Sequence, residues 1–234
     1  MRLSSGPRGP VPRRGARAVL ALAVLALASC TNAAAGGFPA AEVDRATVPV
    51  PFDVVGFAVV GDSITAGLDG PIEGTTVHGA TSWVPAAEGT PLDFRGGWAA
   101  PGASTRDMRA GVQPVSADVL VVMGGTNDIG AVLPWERCRA DLLAIVATAD
   151  VDEVVVAAIP PLDAHPAQAR RYNVRLEALA RQQGWTYVDP WAGIATPGGT
   201  WAAGTSPDGI HPTEAVADVV GTRIRAALLD SARG

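Results

Sequence analysis

Short runs of β-branched apolar residues alternate along the chain with longer segments whose apolar positions recur at helical spacing. Residues 57–60 (FAVV), 119–123 (VLVVM), 154–159 (VVVAAI) and 186–188 (TYV) are of the first kind, and residues 92–99 follow less regularly. Unbroken runs of this sort fit strands buried on both faces of a sheet. Helical patterns occupy residues 82–88, 105–112, 134–149, 166–183 and 212–230. The alternation predicts an α/β domain in which helices flank a parallel sheet. Right-handed crossovers then put every strand-to-helix loop on one edge of the sheet, where ligands bind in such folds.

Two stretches fall outside this pattern. Residues 1–29 open with Arg2, Arg8, Arg13, Arg14 and Arg17 and continue into AVLALAVLALA at 18–28, too short to span a bilayer comfortably. The run ends in Leu27-Ala28-Ser29-Cys30, which resembles the bacterial lipobox. On that reading residues 1–29 are a lipoprotein signal peptide and acylated Cys30 anchors the exported protein to the extracytoplasmic face of the cell membrane. An ordinary secretory signal with an incidental cysteine is the alternative, and Arg13-Arg14 leaves both general and twin-arginine export open. Residues 30–50, rich in Ala, Gly and Pro, read as a flexible tether, and residues 51–234 as the folded domain.

Composition sharpens this division. With 234 residues, 48% of them hydrophobic, the chain suits one domain with a single core. All 18 basic residues are arginine; five precede Cys30 and no acid does, which leaves 13 arginines against 23 acids and a formal charge of −10. That balance excludes a nucleic-acid partner and argues against phosphate-rich polymers or anionic lipid held by broad electrostatics. Cys138 is the one cysteine besides Cys30 and lies in helical phase with Trp135, Leu142 and Ile145, as a buried core thiol would.

The loops that follow strands carry the reactive residue types: Gly61-Asp62-Ser63, Pro101-Gly102-Ala103, Gly124-Gly125-Thr126-Asn127-Asp128 and Asp208-Gly209-Ile210-His211. Serine hydrolysis needs a nucleophile, a base, a group that orients the base, and donors for the oxyanion. Ser63 lacks the flanking glycines of a G-x-S-x-G elbow, so its case rests on the other loops. Asp208 and His211, three apart in a Gly-containing turn, can supply orienter and base, although the same segment also suits a capping turn. Gly102 and the Asn127 amide suit oxyanion donors, with a type II turn and a helix cap as their plainer readings. Asp128 and Asp62 fit residues that fix these loops. His165, with Asp163 nearby, suits a helix start or a substrate contact, and His78 lies in a Gly-rich loop without an acid beside it.

Together, GDSI at 61–64, the lone glycine of AAPGAST, GGTND at 124–128 and DGIHP at 208–212 resemble the four blocks of the SGNH, or GDSL-type, hydrolases, in their order and over residues 55–229. The resemblance implies a flavodoxin-like three-layer α/β/α fold with a five-stranded parallel sheet and no metal or organic cofactor. It makes Ser63 nucleophile and oxyanion donor, Gly102 and Asn127 the other donors, His211 the base and Asp208 its orienter. Ile64 stands where the family usually has leucine, a volume-conserving change. The expected activity is hydrolysis of carboxylic esters through an acyl-enzyme, on small-molecule or polysaccharide esters with short acyl groups such as O-acetyl. A lipase, lysophospholipase or thioesterase, an acyltransferase, and a noncatalytic carbohydrate-binding lipoprotein are the alternatives. Residues 68–91 and 191–207, the latter with Trp191 and Trp201, are candidate groove walls, the tryptophans suiting substrate stacking or core packing equally.

Overall fold

The computed structural model describes residues 53–232, so the signal and tether segments, Cys30 included, lie outside the described residues. Five strands are parallel: β1 (Val55–Gly61), β3 (Leu92–Ala99), β4 (Val119–Met123), β5 (Glu153–Ala157) and β6 (Thr186–Val188). A two-residue strand, β2 (Ile72–Glu73), pairs antiparallel with the end of β3, Ile72 opposite Ala99. The sheet order is β2-β3-β1-β4-β5-β6, so the expected five-stranded parallel sheet is present with one short strand added at its edge. Its parallel part has the flavodoxin order, in which the connections change direction between β1 and β4.

The helices are α1 (Ser63–Ala66), α2 (Val84–Ala87), α3 (Thr105–Gly111), α4 (Thr126–Gly130), α5 (Trp135–Ala149), α6 (Pro166–Gln183) and α7 (Glu214–Ser231). Alternate strand residues bury against two layers. Phe57, Val59, Val121 and Met123 pack with Trp83 of the α2 entry and with Ile224 and Leu228 of α7. Ala58, Val60, Leu120 and Val122 pack with Met108 of α3, Leu142 and Ile145 of α5, and Leu176 and Leu179 of α6. Each such fully buried aliphatic side chain contributes about 1.5–3 kcal/mol, so these two seams hold the three layers together. β1 and β4 are buried on both faces as expected, whereas β6 is an edge strand and only half-buried.

Local chemistry sets the boundaries. Ser104 and Asp107 form a reciprocal capping box at the start of α3. α6 begins with Pro166 in its first turn and stops at Gly184, whose φ of 76° closes the helix in the left-handed region. β5 ends at Ala157 rather than at 159 because the Asn173 side chain takes both backbone groups of Ile159: its Oδ1 accepts the N–H and its Nδ2 donates to the carbonyl, each at 2.9 Å.

Candidate active site

Ser63 is the first residue of α1, directly past the end of β1. Asp62 caps that helix, its Oδ1 accepting the Ile64 N–H at 2.9 Å. Gly61 is required for the tight entry, since a Cβ there would collide with Thr65 Oγ1. Ser63 is 6% exposed, and its Oγ lies 2.9 Å from His211 Nε2. His211 Nδ1 lies 2.7 Å from Asp208 Oδ2. The other Asp208 oxygen accepts the backbone N–H groups of Ile210 at 2.9 Å and His211 at 2.8 Å. Burial opposes charge on Asp208, but these bonds from His211 and Ile210 outweigh it and lower the carboxyl to about 2. A carboxylate permanently ionised at neutral pH fixes the imidazole with Nδ1 as donor and Nε2 facing the serine.

The other two predicted residues meet on the same edge. Ala103 N–H donates to the Ala100 carbonyl at 3.1 Å, and Gly102 has φ 79°, the form of a type II turn with Pro101 at its first corner. Asn127, in the first turn of α4, donates one Nδ2 hydrogen to the Ala103 carbonyl at 2.9 Å, and the other has no acceptor among the described residues. The Ala100 N–H in turn donates to the Gly61 carbonyl at 3.3 Å, so two hydrogen bonds join the Ser63, Gly102 and Asn127 loops. Among the described residues, the backbone N–H groups of Ser63 and Gly102 have no acceptor. The site straddles β1 and β4, where the sheet's connections diverge.

With this geometry in place, the comparison with protein families is decisive: the GDSL-like lipase/acylhydrolase model matches residues 59–219. The chain belongs to this family. A search of curated protein sequences finds no match. Among solved structures, a GDSL-like lipase from Bacteroides thetaiotaomicron VPI-5482 is similar at 18% identity and TM-score 0.57, covering 75% of this chain and 88% of the other. A lipase/acylhydrolase from Enterococcus faecalis matches at 16% identity and TM-score 0.58, covering 77% and 97%. A catalytic mutant of the acetylxylan esterase Axe2 from Geobacillus stearothermophilus matches at 15% identity and TM-score 0.57, covering 75% and 94%. At these identities the likeness shows the fold.

Buried polar groups brace the site of this family member. Asp128 accepts the Thr105 N–H at 2.9 Å, the Thr105 hydroxyl at 2.5 Å and the Cys138 thiol at 3.4 Å, tying α3, α4 and α5 together behind Asn127. Burial and the Asp128 charge push the Cys138 thiol up to about 12, which matches the buried core thiol expected from its helical phase. Asp62 is wholly buried; burial drives its carboxyl up to about 6 against the Ile64 N–H, the Thr126 hydroxyl and the His211 charge. Its Oδ2 and the Thr126 hydroxyl lack well-aligned partners among the described residues. Tyr172 donates to the Gly124 carbonyl at 2.9 Å, and its ring fills the space a side chain at Gly125 would need.

Other sequence candidates resolve differently. His165 is the N-cap residue of α6, makes no capping bond with its side chain, and faces a groove beside α4. Asp163 acts apart from it: its N–H donates to the Gly209 carbonyl at 3.0 Å and its Oδ1 accepts the Trp201 N–H at 2.9 Å, which braces the Asp208–His211 turn. Sequence spacing hid this role, because the partners belong to distant loops. Trp191 and Trp201 are 2% and 7% exposed and pack edge to face at 5.4 Å, so they are core residues and not stacking platforms. His78 is exposed beside Gly70. Among the described residues, no group of three or more His, Cys, Asp or Glu side chains is arranged to hold a metal ion.

Proposed function

We propose that the protein is a serine esterase that hydrolyses carboxylic esters through an acyl-enzyme. The observation that carries this reading is the continuous chain Ser63 Oγ–His211 Nε2–His211 Nδ1–Asp208 Oδ2, at 2.9 and 2.7 Å. Ser63 Oγ attacks the ester carbonyl carbon as His211 takes its proton, and Asp208 stabilises the resulting imidazolium. The N–H groups of Ser63 and Gly102 and the free Asn127 Nδ2 hydrogen receive the developing oxyanion. Collapse breaks the bond to the alcohol, which leaves with the proton from His211. Water, deprotonated by His211, then attacks the acyl-enzyme and releases the carboxylic acid and free Ser63.

Short acyl groups, O-acetyl on carbohydrate among them, are the favoured acyl half. An acetylxylan esterase shares the fold, and the groove beside the Asn127 loop includes Gln168, Arg171 and Arg175 in its wall. The test is turnover of a 4-nitrophenyl ester series from acetate to palmitate by full-length wild type and Ser63→Ala. Wild type is expected to peak at short chains and Ser63→Ala to lose at least about 10³-fold in kcat. Equal rates for the two proteins would remove Ser63 from the mechanism, and a peak at long chains would favour a lipase. Lipid anchoring through Cys30 completes the proposal: Cys30→Ser should move the protein from the membrane to the soluble fraction, and unchanged fractionation would exclude the anchor.

A further inference from the structure

The groove beside the Asn127 loop combines features that the ester chemistry alone leaves without a purpose. It runs between the α4–α5 loop and α6, and its wall includes Val132, Trp135, His165, Gln168, Arg171 and Arg175, with no acidic residue. Its floor is Tyr172, bonded to the Gly124 carbonyl in the same loop as Asn127. Arg171 and Arg175 stand one turn apart on α6, both exposed, and make no ion pair or hydrogen bond among the described residues. Arg139 lines an adjoining depression, again without a carboxylate, whereas Arg170 donates to the Gly198 carbonyl. Elsewhere arginines are used structurally: Arg109 pairs with Asp141, and Arg223 and Arg225 bind backbone carbonyls.

Like charges at this spacing on a helix oppose folding by a few tenths of a kcal/mol, so the cluster has no structural return. The facing wall is apolar. Val132, 84% exposed at φ 55°, closes α4 in a Schellman cap, its N–H donating to the Ile129 carbonyl and the Leu133 N–H to the Asp128 carbonyl. Trp135 stands edge to face with Tyr172 at 5.3 Å and presents an aromatic side to the same groove.

We propose that this groove seats an oxyanion, a carboxylate or a phosphate, on the alcohol half of the ester, gripped by Arg171 and Arg175. The substrate class is then acyl esters of acidic sugars, with Trp135 against the sugar ring and the guanidinium forks on the anion. This rests on the esterase reading of Ser63 and adds the charge of the substrate to it. The formal charge of −10 over the chain after the signal does not oppose this, since the arginines form a local field in a wall free of acids.

Full-length protein is assayed with O-acetylated methyl glucuronoside, glucose 6-phosphate and methyl glucoside. At least one anionic ester should exceed the neutral one in kcat/KM by roughly tenfold or more, and which one does so identifies the anion. The ratio should shrink in 0.5 M salt, collapse toward one in the double variant Arg171→Gln/Arg175→Gln, and return in part with lysine at both positions. Binding of the unesterified sugars to Ser63→Ala, followed by calorimetry, gives a readout free of turnover. Arginine-dependent binding of an acidic sugar without ester turnover would keep the subsite and discard the esterase; ester turnover without charge preference would do the reverse. Equal handling of charged and neutral sugars in both measurements overturns the subsite.

Discussion

Asp62 is a carboxyl with no exposure, adjacent to Ser63 in the chain. Its folded pKa of about 6 lies above the usual carboxylate range, so between pH ~4 and ~6 the folded chain holds a proton that the unfolded chain has released. Stability from this group is therefore full below pH ~4, declines as pH rises through ~6, and is flat beyond; the shift caps the loss at about 3 kcal/mol. Asp62→Asn keeps the acceptor for the Ile64 N–H and removes the charge. Its stability advantage over wild type in urea unfolding should be small at pH 4 and grow by about 1–3 kcal/mol at pH 7; a difference flat with pH would refute the account. Asn127 makes a cleaner kinetic case. On the proposed mechanism Asn127→Ala removes one oxyanion donor and should lower kcat by about 10²–10³ with little change in KM, measured on 4-nitrophenyl acetate. The meeting of Ser63, Gly102, Asn127, Asp208 and His211 is legible in the sequence because their loops come in an order that one sheet edge collects. The role of Asp163 is not, since its carboxylate serves a backbone N–H 38 residues away.

At the level of elements, strong periodicity carries the main assignments: α6, β3, β4 and β6 have the boundaries that their patterns predict. What escapes is short. β2 has two residues and owes its pairing to the end of β3, and α4 is a five-residue turn of helix whose polar TNDIG sequence has no apolar face. α4 persists because Asp128 anchors it: its carboxylate takes two bonds from Thr105 and one from Cys138. Asp128→Ala leaves the two buried Thr105 donors without an acceptor and should cost about 3 kcal/mol in denaturant unfolding, with kcat falling as Asn127 loosens. A loss under about 1 kcal/mol would mean that α4 is held by something else. The cationic wall of the groove escapes for a different reason. Net charge sums over the whole chain, whereas Arg139 on α5 and Arg171 and Arg175 on α6 come together only when the two helices pack on one face of the sheet.

Across the whole molecule, Ser63 and His211 are linked through the packing of α2 on α7, on the sheet face opposite α5 and α6. Ser82 and Trp83, at the entry to α2, bond Thr65 of the Ser63 helix through the Ser82 hydroxyl at 2.6 Å and the Trp83 indole N–H at 3.2 Å. α7, which follows the His211 turn, meets α2 at Gly221, where a Cβ would collide with the Trp83 carbonyl oxygen. Arg225 fastens the same two helices by donating to the carbonyls of Ala87, Gly89 and Thr90. Gly221→Ala gains about 1 kcal/mol of helix propensity but must drive α7 away from backbone that cannot yield. The net effect should be a loss of about 2 kcal/mol, or a Tm lower by about 5 °C. Displacement of α7 carries His211 with it, so kcat should fall more than KM rises as the 2.9 Å Ser63–His211 contact lengthens. Val219→Ala, at a 42% exposed position of the same helix, should change neither quantity. If Gly221→Ala lowers Tm while kcat stays at the wild-type value, α7 stabilises the domain without positioning the base.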